Sequence, residues 1–478
     1  MTDQAAPAQA PIDRWFVPII LLCPALITFN STAGVFVVPS VAKDFGVQLD
    51  AAQWVATASL VMGAVASPIL IRMGNDDRRR PFMVGILVAL VMLSAACALA
   101  PSFPLLIAAR AAQGVAAALL PMSVAEARSA LPPSRAPRVA AQINTAGTVT
   151  AGFVYVISGS LIEWFSYRDV FWFEAAFAAL TLLLLTRLPR SGRPARHPRL
   201  DIRGLVLLTV GLVSLLPGIS LGPHLGWTSV GVVFLLLVGT ICLVACGVVD
   251  WHVKAPLIHF RLLKIQEVLG SVLISFLLGI TLYVGISLNS RFLQQPIDGK
   301  TQSLFIIGLT LFPISIGSYA GMKLRPHIVR HLALYIVVMI GSLMYGATLL
   351  WLSIDRTSPL ELGGSMFLIG VAGSLTFSVS YGILVEDVQP HETADASSIN
   401  HVLFLIGRAI GSTLSVAILT ALTPHADQIH ATSRAYSFAY LSGVIFAVIA
   451  AGVAIATLRN VKPLSVPVTP PSDPQPPI

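Results

Sequence analysis

A chain of 478 residues that is 55% hydrophobic and only 11% charged is not a water-soluble protein, since soluble domains carry about 25% charged residues. Its mean hydropathy of +0.82 agrees. The net charge of +8 does not point to nucleic acid, because the positive residues are scattered among many short loops.

A spanning helix needs about 20 mostly apolar residues. Fourteen such segments follow one another, at roughly 16–39, 52–72, 82–100, 104–126, 139–163, 170–187, 203–221, 229–250, 266–289, 303–323, 332–353, 362–386, 395–421 and 437–458. No run alternates as a barrel strand does, so the expected fold class is an all-α membrane protein. With both termini placed in the cytoplasm, 22 of the 30 Lys and Arg fall on the inner side. Six fall outside: Lys43, Arg168, Arg291, Lys300, Arg356 and Arg434. Arg110 and Arg408 remain within helices. That bias fixes the expected orientation by the positive-inside rule. The four cysteines all sit in apolar helices and imply no disulfide framework.

The first segment carries ALITFNSTAGVFVVPSVAKDFG, with Asn30 near its middle and Pro39 and Asp44-Phe45-Gly46 at its end. The second opens QWVATASL, starting at Gln53 and Trp54. The loop after it holds Asp76 and Asp77 followed by Arg78, Arg79 and Arg80. Those arginines are either a charged hinge that ties loop to helix ends or a plain positive-inside anchor.

The fourth segment, LLIAARAAQGVAAALLPMS, sets Arg110 well inside an apolar helix, one turn before Gln113 and Gly114. Arg in a lipid-embedded helix costs from about 3 kcal/mol upward, so such a residue faces a protein interior or a water-filled cavity. The fifth segment presents Asn144, Thr148, Gly152 and Tyr155 on one face. Close packing through Gly and Thr is the favoured reading there. The sixth carries Glu174, near its outer end.

The arginine-rich PRSGRPARHPRLDIRG is the natural central linker, and two further apolar segments follow it. In the thirteenth segment Ser397, His401, Phe404, Arg408 and Ser412 recur at three- and four-residue spacing and share a face. In lipid such a polar stripe belongs against another helix or a cavity. Helix packing is the preferred reading for His401 and a cavity-facing role for Arg408. The stretch from Pro463 onward is Pro-rich and reads as a disordered tail.

R-A-A-Q-G-V-A-A-A, Q-W-x-x-T-A, the triple arginine and the extra helix pair together resemble the fourteen-helix drug:proton antiporter branch of the major facilitator superfamily. The likeness covers about residues 15–460. It departs from that pattern at Asn30, which stands where an acid is usual, and in the fifth segment, where the Gly-Pro pair is missing. The Asp of the loop motif falls at Gly74, so Asp76 or Asp77 is the expected substitute.

The resemblance implies two six-helix bundles, 15–188 and 265–460, flanking a linker of 189–264 with two extra spans. Tails at 1–14 and 461–478 complete the chain. It also implies a site between the bundles near the midplane, and export of small amphipathic compounds, drugs or metabolites, driven by the proton gradient across a bacterial inner membrane. The alternatives are an uncoupled or differently coupled facilitator or importer, and a transport-dead sensor or scaffold.

The expected site residues are Asn30, Gln53, Trp54, Arg110, Gln113, Gly114, Tyr155, Glu174, His401 and Arg408. Asp76 to Arg80 form the expected gating loop. With no acid expected near mid-membrane to neutralise Arg110 or Arg408, the expected substrate is neutral or anionic. Protons and membrane lipid are the other expected partners, and an outer adaptor is left open. No nucleotide loop, nucleophile triad or metal constellation is legible, so neither an enzyme, a cofactor, a metal nor nucleic acid is expected.

Overall fold

The structure, a computed structural model, describes residues 14–74, 78–132, 135–188, 202–252, 260–294, 302–356, 358–386, 393–423 and 432–461. Among the described residues every regular element is helical. Thirteen helices are long and apolar enough to cross a membrane. The expected seventh span is the helix Ile202–Leu225, whose recorded apolar run covers Arg203–Ile219. Asp76 and Asp77, most of the arginine-rich linker and the C-terminal tail lie outside the described residues.

The first half contains α1 (Phe16–Phe36), α2 (Val38–Phe45), α3 (Leu49–Ala52), α4 (Trp54–Met73) and α5 (Arg79–Ala98). It continues with α6 (Phe103–Ala112), α7 (Leu119–Ala130), α8 (Ala136–Trp164) and α9 (Tyr167–Arg187). The expected first span thus stops at Phe36, and Pro39 in the first turn of α2 starts a new, short helix. The fourth span is α6 and α7 joined by a 3₁₀ stretch, Gln113–Ala118. A mid-span tightening of that kind commonly marks a functional or strained position, and here it follows Arg110 directly.

Two helices, α10 (Ile202–Leu225) and α11 (Val230–His252), separate the halves in sequence. On α11 the exposed Val230, Phe234, Leu237, Ile241 and Val244 recur at three- and four-residue spacing, which gives a continuous apolar stripe suited to lipid. Leu208, Leu212 and Leu216 of α10 join a core that also holds Leu60 and Val61 of α4.

The second half is α12 (Gln266–Leu293), α13 (Leu304–Leu311), α14 (Pro313–His331), α15 (Leu334–Ile354), α16 (Pro359–Glu386), α17 (Thr393–Leu422) and α18 (Ser433–Leu458). Pro313 opens α14 and breaks the tenth span into two pieces. Val402, Leu405 and Ile406 of α17 belong to the same core as α4 and α10, so the helix pair packs across both halves.

Each half ties its first span to its last through an asparagine. Asn30 of α1 donates to Glu174 of α9, and Asn289 of α12 accepts from the hydroxyl of Tyr440 of α18. At the end of α2, Asp44 accepts from the Tyr167 hydroxyl at 2.6 Å and from Arg168 at 3.2 Å. The Tyr167 bond, helped by Arg168, holds the Asp44 carboxyl below the usual range. Its small surface contribution is therefore present above that range and lost only as pH falls through the lowered value.

Candidate functional site

A cavity lies between the two halves. Ser31 and Thr32 of α1 and Asn144 and Thr148 of α8 reach it from the first half. From the second half Tyr283, Tyr345, Phe377, His401, Phe404 and Arg408 line it. Among the described residues, Arg408 is the one Arg or Lys in that lining, and no Asp or Glu contributes. Tyr283, Tyr345 and Phe377 are not distinguishable by sequence, because each looks like an ordinary aromatic in an apolar helix.

Arg408 donates to the Tyr283 hydroxyl, with its guanidinium carbon 4.4 Å from the centre of the Tyr283 ring and 5.7 Å from that of Phe404. Its Nε has no partner, nor do Nε2 of His401 and the hydroxyl of Tyr345. His401 also bonds the backbone of Ala117 in the other half. Its preferred packing role therefore describes one face of the ring, while the cavity takes the other.

The polar stripe of the fifth span is divided. Asn144 and Thr148 line the cavity, where the sequence favours close packing. Gly152 and Tyr155 do pack. The backbone N–H of Gly152 donates to Ser315 at 2.9 Å, and the ring of Tyr155, 1% exposed, lies tilted against that of Phe36 with centres 5.9 Å apart. Tyr155 therefore does not reach the cavity, contrary to expectation. Its helix lies close against α13, where a side chain placed on Gly308 would meet the Tyr155 backbone at 2.5 Å.

Beyond the cavity, on the face away from the chain ends, two seams join the halves. In one, Gln53 donates to Ser412 at 3.3 Å and accepts from Arg291 at 2.7 Å. In the other, Glu163 accepts from the Ser303 hydroxyl at 2.5 Å and from the Phe305 N–H at 2.8 Å. Gln53 is thus a latch between halves rather than a lining residue, and its neighbour Trp54 is absent from the lining too.

The other expected site residues form a separate cluster inside the first half. Arg110 is 0% exposed and its hydrogen bonds go to protein. It donates to the Val55 carbonyl at 2.8 Å, the Asn30 carbonyl at 2.9 Å, Gln113 Oε1 at 2.6 Å and Ser59 Oγ at 3.3 Å. Its guanidinium lies 5.7 Å from the ring centre of Phe171. Gln113 Nε2 then donates to Ser94 at 2.7 Å and to Glu174 at 3.2 Å, while Asn30 donates to the other oxygen of Glu174 at 2.7 Å.

Two expectations fail here. Arg110 does not face the cavity, and it does have an acid near it, because Glu174 shares Gln113 with it and feels its charge. Sequence spacing cannot join residues 144 apart in the chain, as Asn30 and Glu174 are. Two glycines make room. A Cβ on Gly34 would stand 2.3 Å from the guanidinium, and one on Gly114 would stand 2.6 Å from the backbone nitrogen of Gly63.

In the loop after α4, Arg79 is buried and donates to Glu126 at 3.4 Å and Ser129 at 3.0 Å. Arg80 donates to the carbonyls of Leu185 and Leu188, and Arg78 is exposed at the start of α5. The arginines therefore tie α5 to the ends of α7 and α9, and Glu126 supplies a carboxylate. Asp76 and Asp77, the expected acids, fall in the part of the loop not described.

The family model of the Major Facilitator Superfamily matches residues 20–412. The chain belongs to the Major Facilitator Superfamily. As a member it is a multi-pass integral membrane transporter. It is 29% identical over 393 residues to the multidrug resistance protein Stp of Mycobacterium tuberculosis, covering 80% of this chain and 70% of that one. It is 28% identical to the puromycin resistance protein Pur8 of Streptomyces alboniger, covering 90% and 87%. Among solved structures, the human organic anion transporter MFSD10 superposes with a TM-score of 0.62 at 17% identity, over 93% of this chain and 100% of that one. That last likeness concerns the fold alone.

Proposed function

We propose that this major facilitator exports small amphipathic molecules by alternating access, in exchange for protons. The observation that carries this reading is the division of labour between two sites. A cavity between the halves offers polar atoms without partners. A separate buried cluster in the first half holds Glu174, a carboxyl that accepts from Asn30 and Gln113 and is the acid this proposal gives the exchanged proton. A coupled exporter needs both, and it needs the acid to respond to which face is open.

Glu174 takes the place of the missing first-span acid. Asn30 occupies the position where an acid is usual in the resembling family, and its amide points at the Glu174 carboxylate. The carboxylate has moved from one helix to its neighbour, and the charge near Arg110 is kept. His401 lines the cavity and belongs with the substrate in this reading. The printed names of Stp and Pur8, multidrug and puromycin resistance proteins, support outward transport.

Both chain ends lie on the cytoplasmic side in this reading, with α10 as the seventh of fourteen spans. The charge bias of 22 inner to six outer Lys and Arg supports it. The latch through Gln53 and Arg291 then seals the outer face. Uptake of a fluorescent drug into everted vesicles is expected to rise when an inward-acid pH gradient is imposed. A cysteine in the 189–201 linker should react from outside such vesicles, and one in the 295–301 loop should not. Uptake indifferent to the gradient would point instead to an uncoupled facilitator.

A further inference from the structure

We propose that the cavity takes organic anions, each with one carboxylate or sulfonate held by Arg408 and an apolar ring system held by the aromatic wall. The proposal rests on the transport reading of this cavity and names its substrate class.

A guanidinium in the middle of a membrane helix is costly unless something offsets its charge. For Arg110 that something is Glu174. Among the described residues Arg408 has no such partner, since none of those lining the cavity is an acid and no ion pair to Arg408 is found. The rings of Tyr283 and Phe404 offset part of the charge through their faces. They leave the planar fork of donors incompletely used, with Nε unpaired.

Three other groups around the same cavity also want partners, Asn144 Oδ1 among them. Nε2 of His401, two turns from Arg408 on the same helix face, and the hydroxyl of Tyr345 both lack hydrogen bonds, and both residues line the cavity. His401 is 7% exposed and Tyr345 1%, so water outside the cavity does not satisfy them. A guanidinium fork pairs best with a planar or trigonal anion that accepts two bonds. A lipophilic cation would instead enter a field of its own sign, with no acid to receive it. The rest of the lining mixes small polar residues, Ser31, Thr32, Asn144 and Thr148 among them, with apolar and aromatic ones such as Leu282, Ile286 and Phe377, and the latter suit a flat ring system.

The test is equilibrium dialysis of the full-length protein in detergent against three matched probes: N-dansylglycine (anionic), its methyl ester (neutral) and N-dansyl-ethylenediamine (cationic). Empty micelles give the background. The wild type is expected to bind the anion roughly 10- to 100-fold more tightly than the ester, the range of a charge-assisted hydrogen bond, and to bind the cation least. Arg408→Gln should bring the affinities for anion and ester together, and Arg408→Lys should keep part of the preference.

Equal affinity for anion and ester, tighter binding of the cation, or an anion preference that survives Arg408→Gln would each overturn the proposal. Should Arg408→Gln fail to fold, the order of the three probes on the wild type decides. Binding is read without any gradient. A protein that binds the anion through Arg408 yet ignores an imposed pH gradient keeps this site and loses the proton-driven reading.

Discussion

Arg110→Ala is expected to destabilise the fold by about 3–5 kcal/mol, the usual cost of removing one partner from a buried charged network. The sequence reading places this side chain against a cavity, where its loss would spare folding. The structure buries it completely and bonds it to three other helical segments of the first half. Without it, the carbonyls of Val55 and Asn30 lose a donor and Glu174 is left charged with no cation beside it. Arg110→Met combined with Glu174→Met removes both charges together and should recover much of the lost stability, while transport stays absent. Thermal denaturation of the purified variants in detergent measures this. A stable Arg110→Ala protein, as heat-resistant as the wild type, would show that the cluster does not hold the first half together.

Gly114→Val should be nearly as damaging, for a steric reason. A Cβ at this position would lie 2.6 Å from Gly63 N, 2.7 Å from Ser59 O and 2.8 Å from the Met62 carbonyl carbon. These are backbone atoms of α4, so no side chain can swing aside, and the two spans must separate. Overpacking in a tight core costs about 1–3 kcal/mol or more. Separation would also pull Ser59 and the Val55 carbonyl away from Arg110, one turn distant. Gly85 is the control, since nothing lies within 4 Å of its Cβ position. Gly85→Ala is expected to be neutral or slightly stabilising, as alanine is the better helix former. The comparison is read from the yield of monodisperse protein and its thermal stability. Equal behaviour of the two variants would contradict the close approach of α4 to the fourth span.

Periodicity makes the spans legible because lipid demands long apolar helices, and a run of about 20 residues has few alternatives. It also exposes the stripe of the thirteenth segment, since polar residues recurring on one face of such a helix need a partner. His401, Phe404 and Arg408 do line the cavity. The ends of that stripe do not, because Ser397 accepts from Tyr381 and Ser412 from Gln53.

Spacing says which residues share a face and not what packs on it. That is why Arg110 and Gln113 read as cavity residues and Tyr155 as a binding residue. It is also why Glu174, which reads as an acid near a helix end, does not join them on the evidence of spacing. The contact that joins these residues runs between helices far apart in sequence. The breaks at Phe36 and before Pro313 shift segment ends in the same way, through local proline chemistry inside an apolar run.

In the proposed mechanism Glu174 carries the exchanged proton and the cavity carries the substrate. This is tested most directly by comparing two transport modes in proteoliposomes containing wild type or Glu174→Gln. One mode is accumulation of a fluorescent substrate driven by an imposed pH gradient. The other is counterflow, in which labelled and unlabelled substrate exchange with no gradient. The amide introduced by this substitution keeps a hydrogen-bonding group beside Asn30 and Gln113 and cannot titrate. Glu174→Gln is expected to lose gradient-driven accumulation and the accompanying substrate-dependent proton movement, yet to keep counterflow. Full gradient-driven accumulation by Glu174→Gln would contradict it.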